Sequence, residues 1–238
     1  MNVVLFDSDR RTQSMPVSDP RARHLLEVLG CRPGMQFRAG VVNGESGLGT
    51  VVAVEPDRIR VALCWNAEPV APPDITLIVG LPRPPSARKI LYQGAALGCR
   101  AMHFVHTRLS DPNYARSKLW RDDEWRRHLL DGVQQSAATT MPEVTCGMAL
   151  RGVLERAVAG SATAVALDPE SGARRLGAHR VRLPLVLAVG PERGWSAEDR
   201  ATLARHRFAF CTLGTRILRV ETACVAAMAI VQARLGEM

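Results

Sequence analysis

The chain reads as an α/β protein, with a C-terminal parallel sheet preceded by a small β-rich domain. Three observations predict this. Beyond residue 74, the apolar runs Ile75–Leu81, Ala101–His106, Thr163–Leu167 and Leu185–Val189 alternate with helical stretches, the order of a parallel sheet. Before it come short β-like pieces divided by turn residues. Between the two lies a Pro-rich joint, Glu68–Asp74 (EPVAPPD), which places the domains at 1–70 and 74–238.

In the first domain, Asn2–Asp7 mixes apolar and polar residues as a first strand does. Ser18 opens SDPRARHLLEVLGCRPGM, a short capped helix around Ala22–Leu29 that Gly30 ends. Strands are predicted at Met35–Ala39, Gly49–Glu55 and Arg58–Trp65. Gly44-Glu45-Ser46-Gly47 and Glu55-Pro56-Asp57 supply the turn chemistry between them.

In the second domain, Ile75–Leu81 leads through a turn at Pro82–Ser86 into a helix over Ala87–Leu97, closed by Gly98. Ala101–His106 is the next strand, and one long helix is predicted over Leu119–Ala138. A strand at Val144–Cys146, a helix at Leu150–Val158 and the strand Thr163–Leu167 follow. The unit strand, glycine turn, helix then occurs twice. Leu185–Val189 ends in Gly190-Pro191-Glu192-Arg193-Gly194, and Ser196 caps a helix. Phe208–Leu213 ends in Gly214, and Thr215–Arg219 lead into a final helix over Glu221–Leu235. Loops after the carboxyl ends of parallel strands are where ligands sit in open α/β sheets. Neither GxGxxG nor GxxxxGK[ST] is present, so glycine alone points to ordinary βα connections.

Composition narrows the function classes. The chain has 238 residues, 47% hydrophobic and 23% charged, enough for a substantial core. No apolar run reaches the length of a membrane span and no signal-peptide pattern opens the chain, so it reads as cytoplasmic. Six cysteines, at 31, 64, 99, 146, 211 and 224, form no CxxC pair and read as core residues in a reducing compartment. No metal site is predicted. The net charge is +8, and every basic residue except Lys89 and Lys118 is Arg. A basic surface suits a polyanion such as RNA.

The pair GPERGWS and LGTRILRVETA, in this order and near the C-terminus, resembles the paired motifs of the SPOUT-class RNA methyltransferases, and within them the RsmE type, which methylates uridine N3 in 16S ribosomal RNA. The resemblance extends over the whole chain but is tight only after Leu185. It identifies the first domain with a PUA-like β-barrel, whose HxxxVLR-like helix corresponds to His24–Leu29, with Gly30 where Arg is usual. Further departures are Arg83 for a Lys, Ala96-Leu97-Gly98-Cys99 for ELGV, and Gln134-Gln135-Ser136-Ala137-Ala138 for EQSxR. Arg193 replaces a glycine, and Val220-Glu221-Thr222 replaces Thr-Glu-Thr.

The resemblance implies S-adenosylmethionine as methyl donor, small-subunit ribosomal RNA as substrate and a homodimer. It also implies a deep trefoil knot in the parallel-sheet domain. Its knotted loop implies cofactor contacts at Leu167, Ala188, Gly190, Gly194, Leu213, Ile217 and Leu218, where core packing is the plain reading of Leu213, Ile217 and Leu218. Arg216 either stabilises the anion developing on uracil or grips a phosphate. Glu192 either orients the base or caps the helix that follows it. Arg219 and Glu221 are candidates to pair with each other, and no residue identifies itself as the general base. Arg21, Arg23, Arg32, Arg38, Arg83 and Arg193 are the candidates for RNA contact; a solvated basic face is the plainer reading of any one of the first four. Alternatives are a relative with another RNA target, or a silent RNA-binding relative that retains the knot.

Overall fold

A computed structural model describes residues 2–169 and 174–238. The chain forms two compact units, one of residues 1–71 with 133–141 and one of 72–132 with 142–238.

The first unit is a five-stranded sheet in the order β1-β3-β4-β5-β2. Its strands are β1 (Val4–Phe6), β2 (Thr12–Pro16), β3 (Gln36–Val41), β4 (Ser46–Val54) and β5 (Arg58–Ala67). β1 runs parallel to β3, and the other pairs are antiparallel. Register shifts at Ser46/Gly47 and Val51/Ala53 mark irregularities in β4, the device by which a sheet bends. Alternate residues, among them Phe37, Ala39, Val51, Ile59, Val61 and Leu63, point into one core with Phe6 and Leu25. Trp65 packs near Phe6, with ring centroids 6.4 Å apart, and its Nε1–H donates to the Asp9 carbonyl at 2.6 Å. Residues 133–141 belong to this unit. The Val3 N–H donates to the Gln134 carbonyl at 3.2 Å and the Asn43 N–H to the Thr139 carbonyl at 2.9 Å.

Two readings of this region change. β2 was not expected, because TQSMP alternates weakly; it forms an edge strand on β5 that buries only Met15. The helix expected over Ala22–Leu29 is a turn of α1 (Pro20–Arg23), capped by Asp19, continued by a π-helical stretch at His24–Val28.

The second unit is a six-stranded, wholly parallel sheet in the order β11-β9-β10-β6-β7-β8. In chain order it comprises β6 (Ile75–Gly80), α2 (Pro84–Ala96), β7 (Ala101–His106), α3 (Lys118–Arg121), α4 (Glu124–Gln135, which belongs to this unit as far as Gly132) and β8 (Glu143–Ala149). Then come α5 (Leu150–Ala157), β9 (Thr163–Leu167), β10 (Leu185–Val189), α6 (Ala197–Arg205), β11 (Ala209–Cys211) and α7 (Val220–Leu235). β6 and β10, buried at every residue, form the centre, which is why they read as unbroken apolar runs. The single helix expected over Leu119–Ala138 is two helices, interrupted at Asp122-Asp123, where Asp123 takes φ +56°. That left-handed residue breaks the helical hydrogen-bond ladder, and Asp accepts it more readily than most side chains do.

The centre of this sheet depends on a glycine. A Cβ added at Gly80 would overlap the Pro191 ring and stand 2.7 Å from the Pro191 nitrogen. Gly80→Ala is therefore expected to push the loop after β10 away from β6. The loss is about 1–3 kcal/mol, read as a lower urea midpoint with an unchanged m-value.

Candidate functional site

The order of the sheet decides where the site lies. From β6 the chain proceeds outward to β7 and β8, then crosses to β9. β10 is inserted between β9 and β6, and β11 forms the far edge. Strand order thus reverses beside β6, the position at which open α/β sheets hold ligands, beyond the carboxyl ends of the strands. Here the loops after β6, β9, β10 and β11, with the first turns of α2 and α7, enclose a cleft of about 650 Å³.

Each wall is fixed by a specific contact. A Cβ on Gly190 would stand 3.1 Å from the Gly194 carbonyl carbon and 3.4 Å from the Trp195 ring, so the turn after β10 closes tightly on itself. Gly194 takes φ +70°, with open space where a side chain would project. Buried Trp195 donates from Nε1 to the Leu167 carbonyl at 2.9 Å, which ties this turn to the end of β9. The Glu192 carboxylate accepts the Arg83 backbone N–H at 3.0 Å, and Arg83 is the N-cap residue just before α2. Glu192 therefore does not cap the helix that follows it. α6 carries its own capping box, in which Ser196 and Asp199 satisfy each other's backbone N–H groups.

Two buried carboxylates shape the interior. Asp168 is 1% exposed and takes a two-pronged contact from Arg200, at 2.6 and 3.3 Å. Glu221, in the first turn of α7, accepts Ser86 Oγ–H at 3.1 Å and Lys89 Nζ–H at 3.2 Å, both from α2. Burial works against its charge. Its own backbone N–H, with Lys89 and Ser86, outweighs that and holds the carboxyl below the usual range. Glu221 thus pairs with Lys89, and not with Arg219 as the sequence suggested. Around the mouth, Arg83, Lys89, Arg216 and Arg219 are all exposed.

Of the seven residues expected to contact a cofactor, Leu167, Gly190, Gly194, Leu213, Ile217 and Leu218 line this one cleft. Ala188 does not; it is fully buried within β10. Arg216 and Glu192 lie on the same cleft, and so does Arg83, whereas Arg193 points outward on the turn after Pro191. In the first unit, Arg23, Arg32 and Arg38 are exposed. Arg21 is held by Asp19 at 2.8 Å and Asp7 at 3.4 Å, with its guanidinium 5.4 Å from the centre of the Phe6 ring. Sequence reasoning missed Asp168, Arg200, Ser86 and Lys89. The rarity of lysine was the one available hint, since Lys89 is one of only two. Among the described residues, no group of three or more His, Cys, Asp or Glu is placed to hold a metal ion.

Comparison with known proteins gives the family. Residues 69–232 match the family described as RNA methyltransferase domain. The ribosomal RNA small subunit methyltransferase E of Treponema pallidum is 31% identical over 98% of this chain and 91% of its own length. A crystal structure of the corresponding enzyme from Neisseria gonorrhoeae, bound to S-adenosyl methionine, is 25% identical. It superimposes with a TM-score of 0.78, covering 98% of this chain and 97% of that one. A methyltransferase structure from Legionella pneumophila, 19% identical, shares the fold with a TM-score of 0.78, covering 98% of this chain and 97% of that one. By its domain match and its likeness along nearly the whole chain, the protein belongs to the ribosomal RNA small subunit methyltransferase E family.

Proposed function

We infer that the protein transfers a methyl group from S-adenosylmethionine to small-subunit ribosomal RNA, and we propose N3 of a uridine as the acceptor. The observation that carries this reading is the convergence of six expected cofactor positions on one cleft, inside the segment that matches the family domain.

The cleft suits the cofactor on its own terms. Leu167, Leu213, Ile217 and Leu218 offer apolar surface for a purine ring. The turns at Gly190 and Gly194 leave backbone groups approachable where any larger residue would obstruct them. Asp168 and Glu221 also line the cleft, with their charges met by Arg200 and Lys89, so they shape its wall. When bound, S-adenosylmethionine supplies an electrophilic methyl group on a sulfonium.

The remaining work falls to the chain. Uridine N3 carries a proton and attacks only as that proton leaves, so negative charge develops on the uracil oxygens. Arg216 stands exposed at the mouth, and we assign it the stabilisation of that charge. Arg83, Lys89 and Arg219 surround the same opening and suit the phosphates that flank the target base. Glu192 acts by position, holding the β10 turn against the start of α2.

Four further features belong to the same reading. The first unit's sheet, with its irregular β4, fits a PUA-like barrel that contributes Arg23, Arg32 and Arg38 to RNA binding. We propose a SPOUT-type trefoil path through the last third of the chain; α7 packs against α2, β10 and the short helical turn Leu176–Ala178. Half-buried Val225, Ala226, Ala229 and Ile230 on α7 suit a homodimer contact. The chain is proposed to act in the cytoplasm, where ribosomes are assembled, and no helix among the described residues is long and apolar enough to cross a membrane.

Two measurements test the assignment. Calorimetric titration with S-adenosylhomocysteine should give saturable binding for wild type and for Gly194→Ala, and none for Gly194→Trp. Both variants carry the backbone strain, and only Trp fills the cleft, so equal binding by all three would move the cofactor elsewhere. Arg216→Ala should lower kcat on small-subunit ribosomal RNA by about 10²-fold or more while leaving S-adenosylhomocysteine affinity unchanged. Nucleoside analysis of the product should show N3-methyluridine; another methylated nucleoside would overturn the acceptor atom alone.

A further inference from the structure

A second cleft lies outside the site described above. It is formed by the segment between β7 and α4, the first turn of α4 and the edge strand β8, and its volume is about 430 Å³, within the range of ligand pockets. It shares no lining residue with the first cleft. Two indoles, Trp120 and Trp125, and two guanidinium groups, Arg116 and Arg121, line it, with Val144 and Cys146 opposite.

The polar chemistry here is incomplete. Trp120 packs on Phe104, with centroids 4.8 Å apart at 54°, yet its buried Nε1–H has no hydrogen-bond partner among the described residues. The buried Ser117 hydroxyl, three residues earlier, also has none. A buried donor without an acceptor destabilises the fold unless something supplies one. Trp125 differs, because its Nε1–H is satisfied by Asp123 Oδ1 at 3.1 Å. Burial pushes the Cys146 thiol up to about 12, which leaves a neutral apolar wall and not a reactive thiolate.

The surrounding charge is mixed but positive on balance. Arg116, Lys118, Arg121, Arg126 and Arg127 face Asp122, Asp123 and Glu124 along the chain. Arg121 pairs with Asp122 at 3.0 Å, and Glu124 is bound by Arg88 at 3.1 Å from α2. Basic and aromatic residues interleaved in this way are the composition of single-strand nucleic-acid sites. Bases stack on rings there and arginines follow the backbone. A ligand that fits must be flat and aromatic, carry acceptors on its edge, and bring anionic groups beside it.

We propose that this cleft holds one unpaired base of the RNA substrate. The base stacks on tryptophan, the Trp120 indole shifts so that an edge acceptor takes its Nε1–H, and the adjoining phosphates lie at Arg116 and Arg121. This rests on the reading that the substrate is RNA, and it adds a docking subsite that selects unpaired strands, apart from the methyl-transfer cleft.

The test uses the full-length protein. Binding of a labelled single-stranded fragment of small-subunit ribosomal RNA is followed by fluorescence anisotropy, beside the same sequence as a duplex. Trp125→Ala should weaken single-strand binding about tenfold or more, and Trp120→Phe, which keeps an aromatic ring beside Phe104 while removing the donor and one ring of the indole, about fivefold. Duplex binding should change little. KM for RNA should rise with kcat held, and S-adenosylhomocysteine affinity should match wild type, which certifies the fold. Methyl transfer by both variants with wild-type KM and RNA affinity would overturn the subsite and leave the enzyme assignment intact. A wild-type protein without methyl transfer, whose RNA binding still falls in both variants, would sustain the subsite and reject the assignment. Wild-type protein that fails to bind single-stranded RNA, or variants weakened only toward duplex, would also overturn it.

Discussion

The end of β6 runs so close to the loop after β10 that there is room for a hydrogen at Gly80 and for nothing larger. That close approach follows from inserting β10 between β6 and β9, and the candidate cleft depends on it. Were β10 at the edge, the loops carrying Gly190, Asp168 and Leu213 would not converge. Two contacts then stiffen what the topology has gathered. Trp195 fastens the β10 turn to β9, and Glu192 fastens it to the start of α2. The walls are set by covalent order and sheet pairing before any ligand arrives, which reduces the ordering that binding must impose.

Charge is distributed to match. Carboxylates face inward and are each held by a cation, while the arginines at the mouth extend into water. A polyanionic partner calls for this division, with paired charge within and exposed positive charge around. The overall charge of +8 draws RNA toward the whole surface, but only the local arrangement gives it an orientation.

Much of this was legible from residue patterns, and the exceptions have physical causes. β6, β7, β9 and β10 could be read because a strand buried on both faces must be apolar at nearly every position. β2 was invisible, since an edge strand with one buried residue leaves no period to detect. The break at Asp123 was missed because a single left-handed residue hardly alters helical periodicity. In the site, the glycine turns and the LGTRILR stretch stood out because they are local in sequence. Asp168 with Arg200, and Ser86 and Lys89 with Glu221, did not, since these partners lie 32, 135 and 132 residues apart and meet only through the sheet order. Pairing Arg219 with Glu221 failed for the same reason. Two residues apart at the start of a helix, they point to different sides, and α2 lies nearer to Glu221.

The grouping of Ser86, Lys89 and Glu221 also bears on how such a sequence can drift. A buried carboxylate tolerates the loss of its counter-charge poorly, and an ammonium beside a neutralised partner gains nothing from staying. Single replacements at any of the three positions therefore descend into a fitness valley, and a compensated pair of changes crosses it. Descendants of this chain should inherit the three as one unit or exchange them together, although more than a hundred residues separate α2 from α7.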